Sequence, residues 1–157
     1  MNSKLIAVAS DHAGLELKNV IIGMLKGMNL EYKDFGTFSG ERTDFARYGY
    51  PAALAVASGE CEKGILICGT GIGMSLTANK VKGIRCAVCS DCYSTVMSRQ
   101  HSNTNILAMG ARVVGTELAK MIARMWLETS YRGGKYQIRL DHINQIESGK
   151  VDFLYQE

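Results

Sequence analysis

An α/β fold, a five-stranded parallel sheet with helices on both faces, is predicted by three features of the sequence. Short, unbroken apolar runs recur along the chain, as in strands buried on both sides. Between them lie segments whose apolar residues fall at three- and four-residue steps, as in amphipathic helices. Polar or glycine-bearing loops follow the strands, and strand, loop and helix repeat in the order of right-handed crossover units. With 157 residues, 46% of them hydrophobic, the chain is expected to form one domain, residues 1–148, followed by a tail at 149–157.

The elements are justified in order. Leu5–Ala9 is a continuous apolar run and the first strand, and Ser10-Asp11-His12-Ala13-Gly14 is the loop behind it. From Leu15 to Met28, the spacing of Leu17, Val20, Ile21, Met24, Leu25 and Met28 predicts a helix, with Lys18 and Lys26 on its wet side. Leu30–Phe35 is a weaker strand, and Gly36–Arg47 reads as a long loop. Pro51 suits the first turn of a helix over Ala52–Ser58, closed by Gly59. Gly64–Cys68 is the central strand, and a helix over Met74–Lys80 follows its glycine loop. Arg85–Cys89 and Asn105–Met109 are the last strands, separated by a helix capped by Ser90 or Asp91 and ending near Gln100. Thr116 is expected to cap a helix with Leu118, Met121, Ile122, Met125 and Trp126 on one side, and a final helix runs from Ile138 to Glu147.

A formal charge of +3, with no run of lysines and arginines, argues against a nucleic-acid partner. No segment has the length of a membrane span, and no charged region followed by an apolar core opens the chain. Five cysteines, an odd number in mostly apolar surroundings, argue for reduced thiols in a cytoplasmic protein. Cys86, Cys89 and Cys92 have a spacing seen in iron–sulfur ligation, but position 96 is valine and the run reads as core. The three histidines are scattered and do not pair with cysteines, so no metal site is expected.

The chemistry is expected at the carboxyl ends of the strands, where open parallel sheets bind ligands. Cys68 ends the central strand and runs into Gly69-Thr70-Gly71-Ile72-Gly73. This loop lacks the third-glycine spacing of a dinucleotide fingerprint and the Lys-Ser/Thr ending of a P-loop. On its glycines alone it is as well explained by a tight turn as by a binding loop. A thiol beside crowded backbone N–H groups shifts the balance, because it is placed to act as a base or nucleophile. Asp11, His12, Thr70 and His101 are expected at the same edge. Arg112, Lys135 and Arg139 suit an anionic substrate, although each alone reads as a solvated charge. His142, inside a helix, receives a structural reading.

Together with Asp11-His12 and Ile67-Cys68-Gly-Thr-Gly-Ile-Gly73, the chain carries Ser39-Gly-Glu-Arg-Thr-Asp44, Ala78-Asn-Lys80, Ser98-Arg-Gln-His101, Gly110-Ala-Arg-Val-Val-Gly115 and Gly133-Gly134. From about Lys4 to Ile146 it resembles the ribose-5-phosphate isomerase type B family, which includes allose-6-phosphate and galactose-6-phosphate isomerases. The resemblance implies a Rossmann-like three-layer α/β/α sandwich and a cofactor-free aldose–ketose isomerisation through a cis-enediolate. It implies Cys68 as the base, the N–H groups of Gly69, Gly71, Ile72 and Gly73 around the oxyanion, and His101 with Asp11 and Thr70 opening the sugar ring. His12, Arg112, Lys135 and Arg139 would hold the phosphate, and Ser102 would contact the sugar. The family pattern also implies a homodimer, or a dimer of dimers, whose site takes His101 and the late basic residues from the second subunit.

Two residues depart from the family pattern. Ser102 stands where asparagine is usual, and Lys135 replaces an arginine, a point charge for a planar fork. The expected substrate is ribose 5-phosphate, with ribulose 5-phosphate as product. The alternatives are another sugar phosphate, such as a hexose 6-phosphate or a tetrose phosphate, and a non-catalytic sugar-phosphate-binding regulator.

Overall fold

Continuous apolar runs form the middle of the sheet. The structure, a computed structural model, describes residues 5–155. Its strands are β1 (Ile6–Ser10), β2 (Tyr32–Asp34), β3 (Lys63–Cys68), β4 (Cys86–Val88) and β5 (Ile106–Gly110). All neighbours pair in parallel, in the order β2-β1-β3-β5-β4. β1 and β5 are buried throughout and β3 from Gly64 onward, while the edge strands β2 and β4 are shorter and partly exposed.

Six α-helices are found among the described residues: α1 (Leu15–Gly27), α2 (Phe45–Ala57), α3 (Ile72–Ala78), α4 (Cys92–Ser102), α5 (Thr116–Glu128) and α6 (Lys135–Glu147), the last packed on α4. Alternation along the strands separates two cores. Ile6, Val8, Ile65, Ile67, Leu107 and Met109 point toward α1 and α5, where Leu25, Ile122 and Trp126 meet them. Ala7, Ala9, Leu66, Cys68 and Ala108 point toward α2 and α3. The alanines of β1 face Ala52, Ala53 and Ala55 of α2, and small residues on both sides allow close approach of helix and sheet.

The direction of each crossover decides its face. The step from β1 to β2 runs toward one edge and carries α1 on one face. The steps from β2 to β3 and from β3 to β4 run the other way and carry α2 and α3 on the opposite face. The return from β4 to β5 brings α4 back beside α5.

Several local expectations are corrected. Lys18 is not on a wet face: it is 1% exposed, and its Nζ donates to both carboxylate oxygens of Asp34 at 2.7 and 2.8 Å and to the Thr37 carbonyl at 2.6 Å. Tertiary pairing overrides the helical pattern because a buried ammonium needs a carboxylate and a full set of acceptors. Helix α2 starts at Phe45, so the long loop ends earlier than expected and Pro51 lies inside the helix. The donor that proline lacks is missed at Arg47, on the exposed side of the helix. Gly115, not Thr116, is the N-cap of α5, and no side chain caps that end. Its buried stripe is Ala119, Ile122, Ala123 and Trp126, with Leu118 and Met121 exposed. Asp91 does cap α4, its Oδ1 accepting from the Ser94 N–H at 2.7 Å.

Helix α6 begins at Lys135, three residues before the expected Ile138. Part of the expected tail is folded: Asp152–Tyr155 forms a 3-10 turn, and Phe153 stacks on His142 at 4.3 Å. Gln156 and Glu157 of that tail, and residues 1–4, lie outside the described residues. Among the described residues no helix is long and apolar enough to cross a membrane.

Candidate active site

The strand order reverses between β1 and β3, and the loops leaving those two strands flank the crevice where open α/β sheets bind ligands. At the end of β1 the Asp11 N–H donates to the Ile67 carbonyl at 3.2 Å, stitching this loop to the end of β3. Asp11 is buried, and its Oδ1 accepts from the Gly14 N–H at 3.1 Å, capping the short turn His12–Gly14. Gly14 is required here because a Cβ would lie 2.6 Å from the Ile67 carbonyl oxygen.

Cys68 ends β3 at 4% exposure. The chain then turns sharply, and the Gly71 N–H donates back to Cys68 Sγ at 3.1 Å. Gly71 has a φ of +81°, and a Cβ on it would lie 2.9 Å from the Met109 backbone. A Cβ on Gly110 would in turn lie 2.7 Å from the Thr70 backbone. The loop is therefore pressed against β5, where only glycine fits on either side. Thr70 Oγ1 accepts from the Ile72 N–H at 3.2 Å, which opens α3. The sulfur is thus held in place at the mouth of the loop, in hydrogen-bond contact with a backbone amide.

Other groups reach the same crevice. Arg112 lies in the turn after β5, its N–H bonded to the Gly69 carbonyl at 3.0 Å and its guanidinium beside Gly69. His12 is tethered through Nδ1, 3.1 Å from the carbonyl oxygen and 3.2 Å from the nitrogen of Thr43. The loop that brings Thr43 is anchored by the buried Lys18–Asp34 pair, and the Phe45 ring lies against Gly73. Hydrogen bonding with Thr37, then with Thr43, holds the Tyr48 hydroxyl below its ordinary range.

His101 is elsewhere. The expectation that it shares an edge with Cys68 within one chain is overturned by the crossover geometry. Helix α4 leaves the carboxyl edge after β4 and runs back to the amino edge before β5; its 11 residues span about 16 Å. His101, near its last turn, sits at the amino edge. There its ring stacks on Tyr136, with centroids 4.1 Å apart and planes 12° apart. Lys135 and Arg139 flank the same tyrosine, each with its charge 5.4 Å from the ring centre. The Ser102 carbonyl accepts from Arg85 Nε at 3.1 Å, and Ser102 lines a cavity of about 530 Å³ with Asn79, Cys86 and Ile143.

One chain thus brings together Asp11, His12, Cys68 to Gly73 and Arg112, and separately His101, Ser102, Lys135 and Arg139. Sequence reasoning does not single out Thr43, Phe45 or Tyr136, and it places Lys18 only on the wet side of its helix. Thr43 and Tyr136 lie within or beside quoted motifs, the one signal that points to them. Three other cysteines are core thiols. Burial pushes the Cys86 thiol up to about 12 and those of Cys61 and Cys89 upward, so they keep their protons as core thiols do.

Comparison with known proteins gives the class of protein to which this sheet and crevice belong. The ribose/galactose isomerase family model matches residues 6–143. Ribose-5-phosphate isomerase B of Escherichia coli is 54% identical over 144 residues, 92% of this chain and 97% of that protein. D-erythrulose-4-phosphate isomerase of Pectobacterium atrosepticum is 41% identical over 143 residues, 90% of this chain and 94% of that protein. The solved structure of Clostridium thermocellum ribose-5-phosphate isomerase B superposes with a TM-score of 0.91 at 48% identity, covering 92% of this chain and 98% of the other. The protein is an aldose–ketose isomerase by class. The chain belongs to the ribose/galactose isomerase family, whose related members act on different sugar phosphates.

Proposed function

We propose that the protein interconverts ribose 5-phosphate and ribulose 5-phosphate, without a cofactor, in the cytoplasm and as a homodimer with shared sites. The observation that carries this reading is Cys68 itself: a buried thiol at the switch point, met by the Gly71 N–H at 3.1 Å. The Cys68 thiolate removes the proton from C2 of the open-chain aldose. The C2–H electrons form the C1–C2 double bond, and the carbonyl electrons move to O1. The N–H groups of Gly69 and Gly73 oppose that negative charge, joined by those of Gly71 and Ile72 as they turn from Cys68 Sγ and Thr70 Oγ1 toward the substrate, a contribution of about 3 kcal/mol per donor in comparable sites. The thiol returns the proton to C1 while a proton leaves O2 and one is added at O1, with Thr70 and Asp11 at hand for these transfers.

His101 from the partner subunit opens the furanose by taking the proton of the anomeric hydroxyl as the ring oxygen is protonated. His12 and Arg112 of one chain, with Lys135 and Arg139 of the other, hold the phosphate, and Ser102 contacts the sugar. The placement of the two residue groups at opposite edges of one chain supports the dimer reading. A subunit on its own presents the thiol without the histidine.

A second reading keeps the mechanism and changes the sugar. Ser102 and Lys135 are the two site positions that depart from the expected pattern, and one relative at 41% identity is named for a tetrose phosphate. Turnover on a panel of phosphorylated aldoses separates the readings, with the highest kcat/KM expected on ribose 5-phosphate; a higher value on a tetrose or hexose phosphate selects the second. Cys68→Ala is expected to fold and to lose at least about a thousandfold in the rate at which solvent deuterium enters the sugar. Substantial residual exchange would identify another base.

A further inference from the structure

The least explained residue near the chemistry is Tyr136. It occupies the first turn of α6, directly after the Gly133-Gly134 break, whose φ values of +62° and +58° turn the chain sharply into the helix. Its ring lies almost parallel to that of His101, 4.1 Å from it. The same ring has the Lys135 ammonium and the Arg139 guanidinium each 5.4 Å from its centre. A backbone strut supports the arrangement: the Arg132 N–H donates to the Gln100 carbonyl at 3.1 Å, tying the segment before α6 to the residue preceding His101.

Physical chemistry gives the plate a purpose. Two cations held close together repel, and exposed side chains of this length are costly to order. The negative face of an aromatic ring offsets part of that repulsion and restricts where the cations lie. Stacking also fixes the plane of an imidazole, and a proton-transferring ring works only when its nitrogen points at the reacting oxygen. No other residue touches all three groups among the described contacts.

We propose that Tyr136 is the positioning residue of the donated half-site, setting the plane of His101 and gathering Lys135 and Arg139 around one ring before the phosphate arrives. The inference rests on the reading above, in which His101 opens the furanose and the two cations hold the phosphate. Its consequence is selective. A furanose substrate needs His101 in register, whereas ribulose 5-phosphate, whose O5 is phosphorylated and unable to close a five-membered ring, reaches the Cys68 step without ring opening.

The experiment compares Tyr136→Ala, Tyr136→Phe and His101→Ala in two assays at saturating substrate: turnover of ribose 5-phosphate, and entry of solvent deuterium at C1 of ribulose 5-phosphate. Tyr136→Ala is expected to lower kcat for ribose 5-phosphate about tenfold or more while leaving the exchange rate within about threefold of the parent. Its KM for both sugars is expected to rise, since the cations lose their common ring. Tyr136→Phe keeps the ring and is expected to restore all these values. Tyr136→Leu, which fills the same space without a π-face, serves if the alanine variant does not fold. Equal losses in both assays, or failure of phenylalanine to rescue, would overturn the positioning role. If Tyr136→Ala behaves as the parent while His101→Ala loses ribose 5-phosphate turnover, this inference alone fails. If His101→Ala keeps that turnover, the underlying assignment of His101 fails, and the inference with it.

Discussion

The two ends of the sheet carry candidate site residues held by different forces. At the carboxyl edge, Asp11, Cys68 and the Gly69–Gly73 loop are fixed by backbone. Main-chain hydrogen bonds join β1, β3 and β5 there, and Gly14, Gly71 and Gly110 allow approaches that any side chain would block. At the amino edge, His101, Lys135 and Arg139 are arranged by side chains around Tyr136, on helix ends that face solvent. The first region is rigid because tertiary packing over-determines it. The second is assembled from exposed and half-buried side chains around one ring, with fewer constraints. On the proposed reading the difference suits the chemistry: abstraction of a proton from carbon needs the fixed base of the first region, while the side-chain cluster of the second supplies His101 and two of the phosphate-binding cations.

The strongest test of this division is complementation. Cys68→Ala and His101→Ala are each expected to be nearly inactive alone. If the two regions meet across a dimer, unfolding and refolding an equal mixture gives half mixed dimers with one intact site each, so about a quarter of parental activity returns. A mixture as inactive as its components would show that the regions do not complete one another.

A smaller effect sharpens the contrast in rigidity. Gly71→Ala adds a Cβ at 2.9 Å from backbone on a residue with φ +81°, and is expected to cost about 3 kcal/mol from strain and overpacking together. Gly134→Ala meets nothing within 4 Å, so only the backbone strain at φ +58°, ψ −129° applies, about 2 kcal/mol. Denaturant midpoints of the two variants measure the gap, and equal midpoints would remove the distinction.

The last effect, confined to alkaline pH, concerns the cysteines. Cys86 begins β4 beside the amino-edge cavity, and burial raises its thiol from 9.0 to about 12. A raised value means the folded state holds a proton that the unfolded chain releases first. The contribution is complete below pH 9.0 and is lost as pH climbs toward about 12. Stability of the parent should therefore fall across that window, and Cys86→Ala should show a shallower decline in the same denaturant titration.

Much of the carboxyl-edge region was legible in the chain because its constraints are local. A strand ending in cysteine, a run of alternating glycines and an Asp-His pair after another strand are adjacent in sequence, and the backbone rules that need them act over a few residues. The errors have the opposite origin. Lys18 sits in a helical pattern that reads as solvated, yet its partners Asp34 and Thr37 are brought by another element. Leu118 and Met121 look apolar enough for a core, but the face of α5 that is buried depends on where the sheet lies. Tyr136 carries no local signal of its contact with His101, 35 positions earlier in the chain.

By itself, the sequence determined the alternating α/β architecture, the thiol at the end of the central strand and the glycine turn behind it, because periodicity and backbone sterics are written over short stretches. Only the tertiary structure decided on which edge each loop residue stands. The return crossover from β4 to β5 reverses direction, carries α4 across the length of the sheet and sets His101 at the end opposite Cys68. That outcome follows from strand order and the hand of the crossovers, which no local pattern records.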